Sequence, residues 1–502
     1  MDYFCFIQSV VSYIESRLKS DIDYSKLERA TGFSIAHTRD VFKSCTKLSL
    51  AKYILYRRIS NAAFDIIHTD NSILDIAVDY GFESYDTFTR AFKRITGYTP
   101  RDFRKNNFQV GRVKLTPGLF GPGIVKNERL NITPQLNLEE MIKMKTIKKS
   151  EDSCVLYGVP KVNYSYEECT PFPSSLRACL NYMGQNMNYS YLMAASGAAF
   201  RLRWNTNFWD GGNVDIMRIY DNPYEAFERS FKAAGREYKI LRREADSSKE
   251  DFVRFIKTEI DNGRPVIALG IIGPPEACIV TGYRDNGETL LGWNFFQDNP
   301  EFAKNSQTDE SGYFICSSWW ENHDTKGVMS IGEDIGTETS IKELIENAVD
   351  IMTRERVGEY AGGQAAYDEW ANALTDESQF PKDAILPLLF ERLMCQTDAM
   401  VMISEGRAYA GCFMEWVAEK YSDMRTECLD AAKLLRTQHT LVNKIREHMG
   451  GWEHTEEQAR RFADATVRKQ VASVIMEVKE LDARACDKLK EILNKLERIP
   501  RT

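Results

Sequence analysis

Residues 73–104 read ILDIAVDYGFESYDTFTRAFKRITGYTPRDFR. Phe88, Ala91 and Phe92 recur at helical spacing and form one apolar stripe. Ser84, Tyr85, Thr87, Thr89, Arg90, Lys93 and Arg94 fall on the other side of the same helix. Hydroxyls and basic groups on one exposed helix face can do one kind of chemistry well. They exchange hydrogen bonds with base edges in a DNA major groove and neutralise the flanking phosphates. An ordinary helical hairpin with a solvated basic face uses the same residue types. The fixed spacing of a turn at Gly81-Phe82 and a stop at Gly97-Tyr98-Thr99-Pro100 favours the DNA reading.

With Ile76-Ala77, Gly81-Phe82, Ser84, Phe88, Arg90, Phe92-Lys93, Gly97, Thr99-Pro100 and Arg104 at those spacings, the stretch resembles the second helix-turn-helix of the AraC/XylS regulators. An internal repeat supports this. Ser34 and Ser84, Phe42 and Phe92, Lys43 and Lys93, and Ser49 and Thr99 stand at one constant offset. Between the copies, AKYILYRRISNAAFDIIH has helical periodicity through Ile54, Ile59, Ala62, Ala63 and Ile66. The resemblance implies an all-α head over residues 1–107, with two units entering successive major grooves about 34 Å apart. Base readout is expected from Ser84, Tyr85, Asp86, Thr87 and Arg90, with His37 and Arg39 from the first unit, whose recognition face also carries Lys43. Phosphate contacts are expected from Arg57, Arg58, Lys93 and Arg94. The first copy departs from the second, because Thr38 stands where the second has Phe88. The head is N-terminal here, whereas the family usually carries it at the C-terminus.

Composition sets the frame. The chain has 502 residues, 43% hydrophobic and 27% charged, which suits a soluble protein of two to four domains. No apolar run is long enough to span a bilayer, and the N-terminus reads as an amphipathic helix, so no membrane association and a cytoplasmic location are expected. Eleven cysteines without a CxxC pair or zinc spacing read as buried thiols, with no metal and no cofactor expected. Residues 1–107 hold 16 Lys+Arg against 13 Asp+Glu, or +3; the whole chain carries −8, leaving −11 for the rest. A weakly basic head on an acidic body confines DNA contact to the head and favours a homodimer on double-stranded DNA.

The expected fold class is multidomain: an all-α double helix-turn-helix head, an α/β middle domain and an all-α C-terminal bundle. Residues 108–145 read as a connector with a short helix LEEMIKMK. Over 146–336, VLYGVPKV, RPVIALGI, EACIVTGYRDNG and TLLGWNFF read as strands, with Asp285-Asn286-Gly287 as a hairpin turn. SSLRACLNYMG and DFVRFIKTEIDNG read as helices. Residues 337–502 read as a helical bundle.

The order helix, strand, xxIVTGY, turn, GWN resembles the papain-like half of cysteine hydrolases, in particular the butirosin-biosynthesis acyltransferase group. That resemblance implies a Cys at the start of the first helix, a His opening the EACIVTGY strand and an Asn or Asp on the next strand. Here the nucleophile slot falls near Pro171-Phe172, the His slot on Glu276 and the third on Asn294. The histidine nearest in sequence is His323, and a thiol nucleophile needs an imidazole within hydrogen-bond reach. The domain is therefore expected to be a pseudoenzyme that keeps a cleft for an unidentified small-molecule effector. Arg201, Trp204, Asn205, Phe208, Trp209, Glu276, Trp293 and Asn294 are the expected ligand residues. Glu276 favours a cationic ligand, with cation–π help from Trp faces, while Arg201 and Arg203 offer an anionic alternative. Two other readings stand beside this one. One is an active acyltransferase or amide hydrolase using Cys169, Ser174 or Ser175; the other is a body that binds a protein partner.

Overall fold

The computed structural model describes residues 22–31, 34–46, 49–68, 71–82, 84–96, 98–106, 146–164, 168–272, 275–297, 307–336, 339–452 and 454–497, together with Val10, Ile14 and 17–19. The expected connector and its short helix lie outside the described residues.

The head contains α1 (Tyr24–Thr31), α2 (Ile35–Thr46), α3 (Leu50–His68), α4 (Ile73–Asp79), α5 (Tyr85–Thr96) and α6 (Pro100–Asn106). On α3, Ile59, Ala62, Ala63 and Ile66 recur every three or four residues, and all are buried against Phe42, Ile76, Phe88, Phe92 and Phe103. Ser72 caps α4, its hydroxyl accepting from the Asp75 amide at 3.0 Å. Gly81, at φ +71°, stops α4. Its amide donates to Val78 and the Phe82 amide to Ala77, which is the left-handed C-terminal stop that turns the chain into α5. Phe82, Phe88, Phe92 and Phe103 form a continuous run of tilted and edge-to-face rings with centroids 5.0–5.4 Å apart.

The body is built on a nine-stranded antiparallel sheet of β1 (Thr146–Lys149), β2 (Cys154–Tyr157), β4 (Arg236–Arg242), β5 (Val266–Leu269), β6 (Ala277–Arg284), β7 (Thr289–Trp293), β8 (Gln307–Thr308), β9 (Phe314–Cys316) and β10 (Gly327–Asp334). The path runs β4-β10-β5-β6-β7-β9-β8, and β2 joins β1 to the far end of β6. β5, β6 and β7 are buried along nearly their whole length, as unbroken apolar runs require. Asp285 and Asn286 both take positive φ ahead of Gly287, forming the expected hairpin turn. At Gly292 a Cβ would lie 1.8 Å from the Ile279 carbonyl, so only glycine lets β7 pass β6 this closely. Helices α7 (Pro171–Tyr182) and α10 (Lys249–Asp261) pack on this sheet.

The remaining elements are α8 (Tyr189–Ala195), β3 (Arg203–Asn205), α9 (Glu225–Ala233), α11 (Ile341–Thr353), β11 (Arg356–Val357), β12 (Tyr360–Gly362), α12 (Gly363–Thr375), α13 (Leu386–Lys420), α14 (Arg425–Met449), α15 (Glu456–Phe462) and α16 (Ala465–Leu496). Packing does not divide at residue 336. β3 pairs with β12, which pairs with β11, in a separate small sheet. Tyr189, Met193, Phe200 and Tyr220 share one core with Ile345, Phe413 and Leu489. Residues 189–233 therefore pack on both sides, with Tyr189, Met193, Phe200 and Tyr220 against the bundle and Leu192, Phe227 and Phe231 in the core of the large sheet.

Within the bundle Arg407 of α13 makes a bidentate pair with Asp482 of α16, at 2.7 and 3.2 Å, and donates to the Ala199 carbonyl at 2.9 Å. Both side chains are excluded from solvent. Removing one partner of such a pair strands a buried charge. Asp482→Ala is expected to cost about 3–5 kcal/mol of stability, measured by chemical denaturation of the full chain. An unchanged midpoint would mean that Arg407 finds a substitute acceptor.

Candidate nucleic-acid interface and body cleft

In the head, α5 separates its faces cleanly. Phe88, Ala91, Phe92 and Ile95 are buried, while Ser84, Tyr85, Asp86, Thr87, Arg90, Lys93 and Arg94 are exposed. Ser84 caps the helix, its hydroxyl accepting from the Thr87 amide at 3.2 Å and pairing with the Thr87 hydroxyl at 2.9 Å. Arg90 Nε lies 3.4 Å from the Asp86 carbonyl on its own helix, so its Nη groups extend outward. Thr89 differs from its expected exposure. It is half-buried, and its hydroxyl has no partner among the described residues.

In the first unit Arg39 and Lys43 are exposed on α2, with the Arg39 guanidinium 5.2 Å from the Tyr24 ring centroid. His37 lies on α2, and its side chain is outside the described residues. Thr38 is buried at the position equivalent to Phe88, so it too serves the core. The expectation for Arg57 is corrected: only 1% exposed, it is part of the head interior and cannot reach a phosphate. The expectation for Arg58 is narrowed, because it is half-buried with its guanidinium against Gly81, where a Cβ would meet Nη1 at 2.7 Å. The mistaken placement has a simple cause. Arg57 falls on the α3 face that packs inward, and that face shows only when the neighbouring helices are in place.

In the body, the start of α7 meets α13. Glu405 is buried there and accepts from the Cys169 amide at 2.6 Å, the Thr170 amide at 3.2 Å, the Thr170 hydroxyl at 2.6 Å and the Tyr189 hydroxyl at 2.8 Å. Burial pushes the Glu405 carboxyl above its ordinary value, and these donors and the Arg201 charge oppose that rise. The amides at the start of α7 are thus occupied by a carboxylate from the bundle.

Arg201 beside it is 4% exposed, so it is no open anion site. Its Nη groups donate to the Ala198 carbonyl, the Val214 carbonyl and the Thr170 hydroxyl. Arg203 is likewise spent on the carbonyls of Leu202, Arg218 and Ile219. Glu276, just before β6, lies near Arg201 and Asp215; burial foremost, then the Asp215 charge, pushes its carboxyl up to about 7. Asp398 of α13 is pushed up to about 7 by burial and by the Glu276 charge. Tyr164, 47% exposed, lies beside Cys169. Its hydroxyl contacts Cys169 and its ring stacks on Phe296 with centroids 5.7 Å apart; the Cys169 sulfur and burial raise its phenol well above the ordinary value.

Several expected ligand residues are placed elsewhere. Trp204 and Trp209 are buried together, 5.1 Å apart, in the core that joins β3 to α12 and α13. Trp293 donates to the Val159 carbonyl at 2.9 Å and packs on Tyr313. Phe208 is exposed. Asn205 holds its own loop through the Asn207 amide and Asp210. Asn294 donates to the Ile272 carbonyl at 3.0 Å and accepts from the Phe296 amide, so its side chain is committed to the loop after β7. Large aromatics serve the core because burying them contributes most there. Of the expected set, Glu276 and Arg201 lie near one another, with Asp215 beside both. Asp398, Glu405, Asp215 and Tyr164 were not singled out. One signal was available: Asp398 and Glu405 stand seven residues apart on one face of α13, amid buried residues such as Met402 and Ala399.

Candidate nucleophiles are poorly served. Ser174 is buried and donates to Glu168, and Ser175 is fully buried. His323 is exposed and, among the described residues, makes no hydrogen bond to a thiol or hydroxyl. Among the described residues, no helix is long and apolar enough to cross a membrane.

Comparison with known proteins bears on the head. A family described as a helix-turn-helix domain matches residues 27–106. The uncharacterized HTH-type transcriptional regulator YbfP of Bacillus subtilis is 37% identical over 98 residues, which are 20% of this chain and 33% of that protein. The multiple antibiotic resistance protein MarA of Escherichia coli is 35% identical over 103 residues, 20% of this chain and 81% of that protein. The right origin-binding protein of Escherichia coli is 34% identical over 106 residues, 21% of this chain and 37% of that protein. The chain therefore spans most of MarA but only about a third of the other two.

The cleft carboxyls give a pH signature. Glu276 and Asp398 are both raised, so between the ordinary carboxylate range and about 7 the folded chain holds protons that the unfolded chain has released. Their stabilising contribution is full at low pH and is lost as pH rises through about 7. Glu276→Gln is expected to flatten this fall, measured as melting temperature from about pH 5 to about pH 8. An identical profile for the variant would show that Glu276 does not titrate in this window.

Proposed function

Through its head the chain belongs to the AraC-type helix-turn-helix family, and on that footing we propose that it is a transcriptional regulator that binds double-stranded DNA sequence-specifically and responds to a small molecule held in a catalytically silent papain-like cleft. The observation that carries the DNA reading is the clean division of α5, with a fully buried apolar stripe opposite an exposed face of hydroxyl, carboxylate and basic groups. Tyr85, Asp86, Thr87 and Arg90 are the base-reading candidates, and Lys93 and Arg94 lie one turn further along for phosphates. Arg39 and Lys43 serve the first unit. Two copies on DNA compensate for the small positive charge of each head, and the cytoplasm is where such a protein works.

The silence of the cleft rests on three residues. Glu276 stands where the resemblance puts the catalytic histidine. Asn294 is committed to its loop. Glu405 occupies the Cys169 and Thr170 amides, the donors from which an oxyanion site beside Cys169 would be assembled. A cleft that keeps its walls and loses these functions is suited to holding a ligand. A ligand that prefers one arrangement of the body then shifts the population of head arrangements on DNA.

Binding selection on randomised DNA with the full chain tests the reading. Arg90→Ala is expected to cost about 1–3 kcal/mol at one base position and to relax specificity there. Lys93→Ala is expected to weaken all sequences alike and to lower the salt dependence by about one counterion. Uniform weakening by Arg90→Ala would remove it from base readout, and absence of any sequence preference would overturn the regulator reading.

A further inference from the structure

We propose that β4 is the surface through which two copies of this chain associate. The two strands pair antiparallel about a two-fold axis at Tyr238, so that Glu237 of each copy faces Lys239 of the other. This rests on the regulator reading above, which places two copies on DNA, and adds where they meet.

An open sheet has edges, and each edge offers a row of backbone amides and carbonyls to another strand. Here the edges are β4, β8 and β1. β8 has two residues. β1 has four, two of them lysines, and Lys149 is held by Asp261 at 3.2 Å. β4 has seven, and among the described residues it pairs with β10 alone. Alternation decides which of its backbone groups are already used. The Arg243 amide donates to the Lys326 carbonyl and the Gly235 carbonyl accepts from the Ile335 amide, so the odd-numbered residues face β10. The even-numbered residues therefore turn their amides and carbonyls outward. The Arg242 carbonyl accepts from the Ser247 hydroxyl at 3.3 Å. The outward groups of Tyr238 and Ile240 have no partner among the described residues.

Charge complementarity selects a second copy as the occupant. A two-fold interface has to be self-complementary. Glu237 and Lys239 are both exposed on one face of β4, and among the described residues neither makes an ion pair. A two-fold at Tyr238 sets Glu237 opposite Lys239 twice, at the non-hydrogen-bonded positions where side chains approach most closely. Other registers do worse. A two-fold at Glu237 or at Lys239 puts like charges face to face. One at Ile240 asks Arg243 to meet Glu237, but Arg243 already donates to the Trp320 and Asn322 carbonyls, each at 2.7 Å. The Tyr238 register also fits the open stretch of the edge, because Tyr238 pairs with itself and Arg236 with Ile240, all outward-facing. Tyr238 and Ile240 are half-buried, the Tyr238 ring stacking on Phe231 of α9 at 4.7 Å, so a second strand alongside covers apolar surface that α9 leaves open. A pairing this short buries less than a standard stable interface. Association is therefore weak in solution and strengthened when both heads hold one DNA.

Sedimentation velocity of the full chain over a wide range of concentration tests this, with melting temperature as a check that each variant folds. The expected result is a concentration-dependent dimer. Glu237→Lys and Lys239→Glu each turn two attractive pairs into two repulsive ones, and each is expected to weaken association on the order of tenfold. The chain carrying both changes is expected to recover the original affinity, because the swap restores both pairs. The register has its own readout. Non-hydrogen-bonded neighbours have Cα atoms about 4.5 Å apart, so a chain with both Glu237→Cys and Lys239→Cys is expected to form a disulfide-linked dimer on oxidation, and neither single variant is. A monomer at every concentration, a dimer indifferent to the single charge changes, or a swap that fails to restore affinity would overturn the interface. A monomeric chain that still selects a DNA sequence leaves the regulator reading intact. A dimer with the expected charge response that selects no sequence supports the interface and removes that reading.

Discussion

A carboxylate cannot leave water unless donors replace the water it loses. Glu405 meets that demand with two backbone amides and two hydroxyls, contributed by the start of α7 and by Tyr189 on α8. This one cluster sets the register between α13 and the large-sheet half of the body, because a shift of either would strand the charge. Asp398 stands two turns earlier on the same face of α13. The same hydrogen bonds occupy the amides of Cys169 and Thr170.

Arg407, two residues further along α13, repeats the principle on the opposite side of the helix. Its pair with Asp482 and its bond to Ala199 pin α13 against α16 and against the chain leading to β3. α13 runs 35 residues and buries groups around much of its circumference, so apolar patterning alone leaves its rotation loosely specified. Buried ionic groups that fit only one arrangement supply the missing specification. The aromatic cluster of Trp204, Trp209, Trp370 and Phe380 then fills the space beside it.

The head follows a more local logic. Its two units share one pattern, but only the second has Phe88 within a run of tilted and edge-to-face rings, while the first buries Thr38 there. The left-handed stop at Gly81 and the Ser84 cap lie within four residues of each other, and they set the angle and start of α5 before any distant contact is made. The exposed face of α5 is a consequence of that short-range geometry.

For this reason the sequence by itself determined the helices of the head, the outward set on α5, the D-N-G turn and the buried strands β5, β6 and β7. Each depends on residues a few positions apart, where periodicity, caps and glycine conformation act directly. Only the tertiary structure decided that Arg57 faces inward, that Trp204, Trp209 and Trp293 are core, and that residues 189–233 bridge the large sheet and the bundle. It also decided that Asn294 is spent on its own loop and that Glu405 takes its donors from Cys169, Thr170 and Tyr189, more than two hundred residues away in sequence. Which faces meet across such a distance depends on the fit of whole elements and on where each buried charge finds its partner. No local pattern records either.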